Sequence, residues 1–254
     1  MLLARALEGR VAQLFINGYA CVPADENKLI FILRKQRLFR KGDIKTMKDS
    51  IIYFKESKPE NMDTILTLVK EKALEKKIKH VVVASTRGKT GMKAVEVFKD
   101  SGIQVVVVTH QIGPGGPELL PENEVKIKGQ GGLIVTCTHA FGGINRSMRR
   151  TPPREQGQSR PQPYWPAYVP STGDLIANVL RLFSQGMKVC FEITVMAADA
   201  GAIPIGENII AVGGQGRWAD TAIVIKSANT TNFFDLDVQE ILAKTISKRV
   251  PRQE

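Results

Sequence analysis

The sequence predicts an α/β fold in which a parallel sheet carries helices on both faces. Short, fully apolar runs at Val81–Ala84 and Val105–Val108 have the look of strands buried on both sides. Segments of helical period lie between such runs. From about Met47 the two kinds alternate, as successive strand–helix units do.

Residues 1–46 stand apart. Leu29-Ile30-Phe31-Ile32-Leu33 has strand character, but Arg34 to Lys41 is a basic run with no periodic partner. This segment reads as an N-terminal extension, with Met47 as the natural start and 47–254 as the α/β domain. Ile51-Ile52-Tyr53-Phe54 is a short strand. Asn61 or Asp63 can cap a helix carrying Ile65, Leu68, Val69 and Ala73, with Lys76 and Lys77 complementing its carboxyl end. After the strand at Val81–Ala84, a helix runs from about Thr90 to Lys99 and stops near Gly102. The strand at Val105–Val108 leads into Thr109-His110-Gln111. The stretch 112–132 holds Gly-Pro-Gly-Gly-Pro and no period, so it is expected to be irregular.

Leu133-Ile134-Val135 is the next strand, followed by Thr136-Cys137-Thr138-His139. A second irregular loop is expected at 150–173, rich in Pro, Arg and Gln. Asp174 can cap a helix carrying Leu175, Ile176, Val179, Leu180 and Phe183, punctuated by Gly186. Another helix carries Val189, Ile193, Met196, Ala197 and Ala200 and ends at Gly201. Ile209–Val212 and Ala222–Ile225 are strands, and Phe233–Ile246 is expected to close the chain as a helix.

Composition narrows the function classes. At 43% hydrophobic and 24% charged residues, the chain is an ordinary globular protein and not a disordered one. No apolar run is long enough to cross a membrane, and Met1–Ala6 is too short for a signal peptide. Three widely spaced cysteines, Cys21, Cys137 and Cys190, give neither a disulfide framework nor a metal spacing, which points to a reducing cytoplasm. The formal charge of +11 collects at Arg34–Lys45, Arg146–Arg160 and Lys244–Arg252, without the interleaved aromatics of a stacking surface. Nucleic acid is therefore the disfavoured partner, a small anion the favoured one, and a second copy of the chain is left open.

The stretch His80 to Lys93 carries the chemistry. Strand, polar turn and helix is how α/β proteins offer backbone N–H groups to an anion, and Ser85, Thr86, Arg87, Gly88, Lys89 and Thr90 form that turn. Gly88-Lys89-Thr90 matches the end of a P-loop, but Val83 occupies the place of its first glycine, so triphosphate hydrolysis is not expected. Gly214-Gln215-Gly216-Arg217-Trp218-Ala219 has dinucleotide-fingerprint spacing, yet a strand follows where the fingerprint needs a helix. His110 and His139 each follow a strand and have no acidic residue or cysteine spaced to complete a metal site. Glu192 and Asp199 share a helix face; the solvent edge is their usual place, with one of them buried and paired on this otherwise apolar helix as the alternative. Four strands end in polar turns, at Ser85–Thr90, Thr109–Gln111, Thr136–His139 and Val212–Arg217. Parallel neighbours would bring these into one crevice. With no nucleophile–base pair, that crevice reads as a binding site rather than a reaction centre.

Val81 to Thr90 and Val107-Val108-Thr109-His110-Gln111 resemble the C-terminal α/β domain of pyruvate kinase. Stand-alone proteins built like that domain are the nearer resemblance. It extends to Thr136–Ala140, Gln185–Cys190, Met196–Gly201, Ala211–Thr221 and Asn232–Asp235, within 47–246. The resemblance implies a three-layer α/β/α domain, its mixed sheet mostly parallel with an antiparallel edge. It also implies a phosphate-bearing ligand, flavin mononucleotide (FMN) or a sugar phosphate, in a regulatory or non-catalytic role. Ser85 to Thr90 would hold the phosphate. Thr109, His110, Gln111, Thr138, His139, Gly213, Gly214, Gly216 and Arg217 would line the rest. The alternative is an enzyme using that ligand, with His110 or His139 as acid or base. Pyruvate kinase activity is not expected, because its barrel of about 250 residues has no room in this chain. The chain departs from the family at residues 1–46, between Gln111 and Leu133, where the family has a helix, and at the Pro-rich stretch before Gly173.

Overall fold

A computed structural model describes residues 14–16, 19–24, 28–32, 50–143, 170–216 and 218–246. The chain divides into two compact units, Met1–Asp49 and Ser50–Glu254. In the first, β1 (Leu14–Ile16), β2 (Tyr19–Ala24) and β3 (Lys28–Ile32) form an antiparallel meander.

The second unit is built on a seven-stranded mixed sheet. Its strands are β4 (Ile52–Phe54), β5 (His80–Ala84), β6 (Gln104–His110), β7 (Leu133–Cys137), β8 (Asn208–Gln215), β9 (Trp218–Lys226) and β10 (Asp237–Thr245). Their spatial order is β4-β10-β9-β8-β5-β6-β7. The pairs β8–β5, β5–β6, β6–β7 and β10–β4 are parallel, whereas β8–β9 and β9–β10 are antiparallel. The fold is therefore α/β with a mostly parallel sheet. The antiparallel strand lies inside the sheet, not at its edge as expected. A tight hairpin joins β8 to β9 and can only reverse the chain, and β4 then covers β10 from outside.

The helices are α1 (Pro59–Glu75), α2 (Lys89–Val97), α3 (Pro121–Gly129), α4 (Thr172–Arg181) and α5 (Gln185–Asp199). Alternation along the strands divides the core in two. Ile65, Leu66 and Val69 of α1, Val95 of α2 and Ile127 of α3 pack with Val81, Val83, Val107 and Val212 on one face. Cys190, Ile193 and Ala197 of α5 pack with Val82, Val106, Val108 and Ala211 on the other. Three layers result, and the consecutive valines of β5 and β6 are buried on both faces.

Helix starts follow local chemistry. Pro59 opens α1 behind Lys58, rather than Asn61 or Asp63 capping it. Ser171 caps α4 in a reciprocal capping box with Asp174, so Asp174 is the third helical residue and not the cap.

Two expectations are corrected. The stretch 112–132 contains α3, opened by Pro121, with Glu122 and Glu124 in its first turn and Lys126 and Lys128 in its last. Only Asn123 and Ile127 of that helix are buried, too few to print a period on the sequence. The expected closing helix over Phe233–Ile246 is instead a 3-10 turn at Thr230–Asp235 followed by β10. Register shifts between Val238 and Glu240 and between Ile241 and Ala243 break its alternation, which is why the spacing imitates a helix. Of the loop expected at 150–173, residues 150–169 lie outside the described ones, and Thr172 already belongs to α4.

Candidate functional site

Because β8, β5, β6 and β7 are parallel neighbours, the turns that follow them emerge along one edge of the sheet. Ser57, after β4, reaches the same edge, its hydroxyl donating to the Gln215 carbonyl.

The turn after β5 is held tightly. The Ser85 N–H donates to the Val108 carbonyl, and the Ser85 hydroxyl oxygen accepts from the Gly91 N–H inside α2. The Thr109 hydroxyl donates to the Thr86 carbonyl, 3.0 Å away. The Asn123 amide of α3 donates to the Arg87 carbonyl. Gly88 sits at φ +93°, the left-handed region that glycine takes without penalty, and a Cβ there would lie 2.5 Å from that of Asn123. Ser85, Gly88, Thr90 and Thr109 are thus buried and build the turn, whereas Thr86, Arg87 and Lys89 remain accessible. The cap residue of α2, Gly88, has no side chain to offer, and Ser85 takes up the Gly91 N–H alone. The Lys89 ammonium lies 4.5 Å from the Trp218 ring centroid. Beside them, Met62 and Asp63 of α1, Met92 and Lys93 of α2, and Trp218 line a cleft of about 360 Å³, with Lys93 paired to Asp63.

Gly213 and Gly214 are packed where a side chain would not fit. A Cβ on Gly213 would meet the Gly186 carbonyl of α5 at 2.7 Å, and one on Gly214 the Trp218 carbonyl at 1.9 Å. Gly216 makes the exposed hairpin turn, and Arg217 lies outside the described residues. Gln111 and Thr138 are exposed beyond the ends of β6 and β7.

His110 and His139 come together, their ring centroids 4.4 Å apart. His110 Nδ1 donates to Glu118 Oε1 at 3.0 Å, and His139 Nδ1 lies 3.2 Å from Glu192 Oε2. Glu192 is buried on α5, bonded to Lys188 one turn earlier, and accepts from the Phe141 N–H. Burial pushes its carboxyl up, but the His139 hydrogen bond and the Lys188 charge outweigh this and hold it at about 2. Cys137 of β7 is paired in register with His110. Burial and the nearby Asp199 and Glu192 charges push its thiol up, disfavouring the thiolate.

Sequence reading missed Glu192 and Lys188 as members of this cluster. Their spacing is that of an ordinary solvated pair on a helix surface, and the signal against it was the apolar sequence around them. A second missed cluster lies under β8. The Asp220 carboxylate accepts from the Gln215 N–H and the Thr221 hydroxyl, and burial pushes its pKa up. Among the described residues, no three His, Cys, Asp or Glu side chains converge as metal ligands, and no helix is long and apolar enough to cross a membrane.

Fold and edge define an α/β protein whose polar strand ends share one side of a mixed sheet. No family model matches the chain. Two solved structures of a pyruvate kinase from Cryptosporidium parvum, one in complex with ADP, are similar to it at 14% identity and a TM-score of 0.32. The likeness covers 66% of this chain but 23% and 24% of theirs, so the chain spans about a quarter of the proteins it matches.

Proposed function

We propose that the chain binds a phosphate-bearing small molecule, FMN or a sugar phosphate, at the carboxyl edge of its sheet. One observation carries the reading. The amino end of α2 follows a left-handed Gly88 that has no side chain to cap it, has its Gly91 N–H taken up by Ser85, and is flanked by accessible Thr86, Arg87 and Lys89. A helix dipole, free N–H groups and two cations at one turn suit a dianion. Leu119 and Asn123 close one flank, so the ligand approaches from the Arg87 and Lys89 side. Trp218, Met62 and Met92 offer apolar surface for a flavin ring, and the polar strand tops suit a sugar. A cytoplasmic setting goes with this reading, since Cys137 and Cys190 are free thiols.

The test is the melting temperature with FMN, ribose 5-phosphate or fructose 6-phosphate. At a hundredfold excess over Kd, a ligand adds about 2.7 kcal/mol of stability. Arg87→Ala with Lys89→Ala should weaken binding roughly 10- to 100-fold per lost charge-assisted contact while leaving the unliganded protein nearly as stable. Unchanged affinity in that variant would rule this turn out. A second reading, an enzyme acting on the ligand, is favoured by the paired histidines.

A further inference from the structure

We propose that His110 and His139 form an acid–base pair that enolises a phosphorylated hydroxy-ketone or hydroxy-aldehyde, with Glu192 as the positioning residue of His139. The proposal rests on the phosphate reading of the α2 turn and adds what happens to the rest of the ligand.

The two imidazoles lie side by side, and each turns Nδ1 towards a carboxylate. A carboxylate only accepts, so both Nδ1 atoms carry protons, and Nε2 is the atom each ring has left for chemistry. The two environments differ. Glu192 is 2% exposed and locked by Lys188 and the Phe141 N–H, whereas Glu118 is 53% exposed. Two like groups in unlike surroundings take unlike roles. His139, beside a fixed and ionised carboxylate, is the base whose imidazolium is stabilised as it forms. His110, next to solvated Glu118, is the acid.

The pair is placed to meet the far end of a ligand anchored at the α2 turn. The Thr109–Thr86 hydrogen bond ties that turn to the residue preceding His110. Parallel strands are spaced about 4.8 Å apart, so the ends of β6 and β7 lie roughly 5–10 Å from that of β5, the span of a short sugar chain. Three nearby nucleophilic groups are occupied. The Cys137 thiol is held protonated, the Ser85 oxygen caps Gly91, and the Thr109 hydroxyl serves Thr86. Two adjacent imidazoles with Nδ1 engaged are suited to proton transfer through Nε2.

The step balances without a co-reactant. His139 Nε2 takes the proton from the carbon next to the carbonyl. The C–H electron pair becomes the new C=C bond, and the carbonyl π pair moves to oxygen, which takes a proton from His110 Nε2. Reversal restores the substrate; when His139 instead returns its proton to the former carbonyl carbon and the neighbouring hydroxyl gives its proton to His110 Nε2, the enol collapses to the aldose–ketose isomer. His139 faces Glu192 and Lys188 of α5 and His110 of β6, with Cys137 two residues before it on β7 and Asp199 beyond Cys137, so these groups set its pH dependence.

Proton NMR in D2O tests this with dihydroxyacetone phosphate, ribose 5-phosphate and fructose 6-phosphate, each sample also being melted. The full chain should wash deuterium into the carbon next to the carbonyl of at least one probe. His139→Gln should lower that rate roughly 100-fold or more while preserving the probe's melting shift. Glu192→Gln should slow exchange and move the acidic limb of its pH profile down, because an imidazolium is stabilised less by an amide than by a carboxylate. A purely structural role would lower the melting temperature and leave that limb in place. If Glu192→Gln does not fold, the half-buried His139 variant decides alone. A probe that raises the melting temperature without exchange overturns the acid–base proposal and spares the phosphate site. Probes that neither stabilise nor exchange overturn both, and exchange surviving in His139→Gln removes the role given to that residue.

Discussion

Glu192→Gln is also a sharp test of the buried network. The wild-type carboxyl is held at about 2 against an ordinary 4.5. That difference is worth about 3 kcal/mol of folding stability, since one pKa unit is about 1.4 kcal/mol. The folded-state value is depressed, so the unfolded chain takes up the proton first as pH falls. The contribution is therefore complete above the unfolded-state value, shrinks to about 1 kcal/mol near pH 3, and vanishes below pH 2. The amide cannot ionise and has no such dependence. It also leaves Lys188 buried without its carboxylate, a loss of roughly 3–5 kcal/mol near neutrality. Urea unfolding of both proteins at pH 7, 5, 4 and 3 gives the gap between them directly, with other carboxylates cancelling. The gap should be wide at pH 7 and narrow by about 2 kcal/mol at pH 3. A gap that stays constant across this range would show that Glu192 is not held ionised by His139 and Lys188, and the positioning role would fall with it.

Gly186→Ala should destabilise the protein by roughly 1–3 kcal/mol, read as a lower melting temperature. The new methyl would lie 2.1 Å from the Thr221 hydroxyl oxygen and 2.7 Å from an Asp220 oxygen, so α5 must lift off the sheet. An unchanged melting temperature would mean that this contact is not tight. Ser171→Ala removes half of the capping box at α4 and should cost about 1 kcal/mol in urea unfolding, with ligand binding unaffected.

Legibility in the sequence followed burial. The valines of β5 and β6 announced themselves because both faces of those strands are covered. The strand, turn and helix around Ser85 to Thr90 were legible because they are contiguous. What failed did so for local reasons. Bulges scrambled the alternation of β10, and α3 buries too little to show a face. The Lys188–Glu192 pair gained its meaning from His139, which the chain delivers from β7, far away in sequence. No spacing rule reaches across that distance. The glycines at Gly213 and Gly214 were noticed, but the backbone packed against them was not legible.

The outermost strand, β4, pairs in parallel with β10, Ile52 beside Ala243 and Phe54 beside Thr245. The first strand of this unit to leave the ribosome therefore waits for the last. While α1 to β9 assemble, β4 has no edge to join, and its exposed Ile51 and Tyr53 stay available to other chains. Its docking is the long loop closure of the fold and should be the late step in refolding.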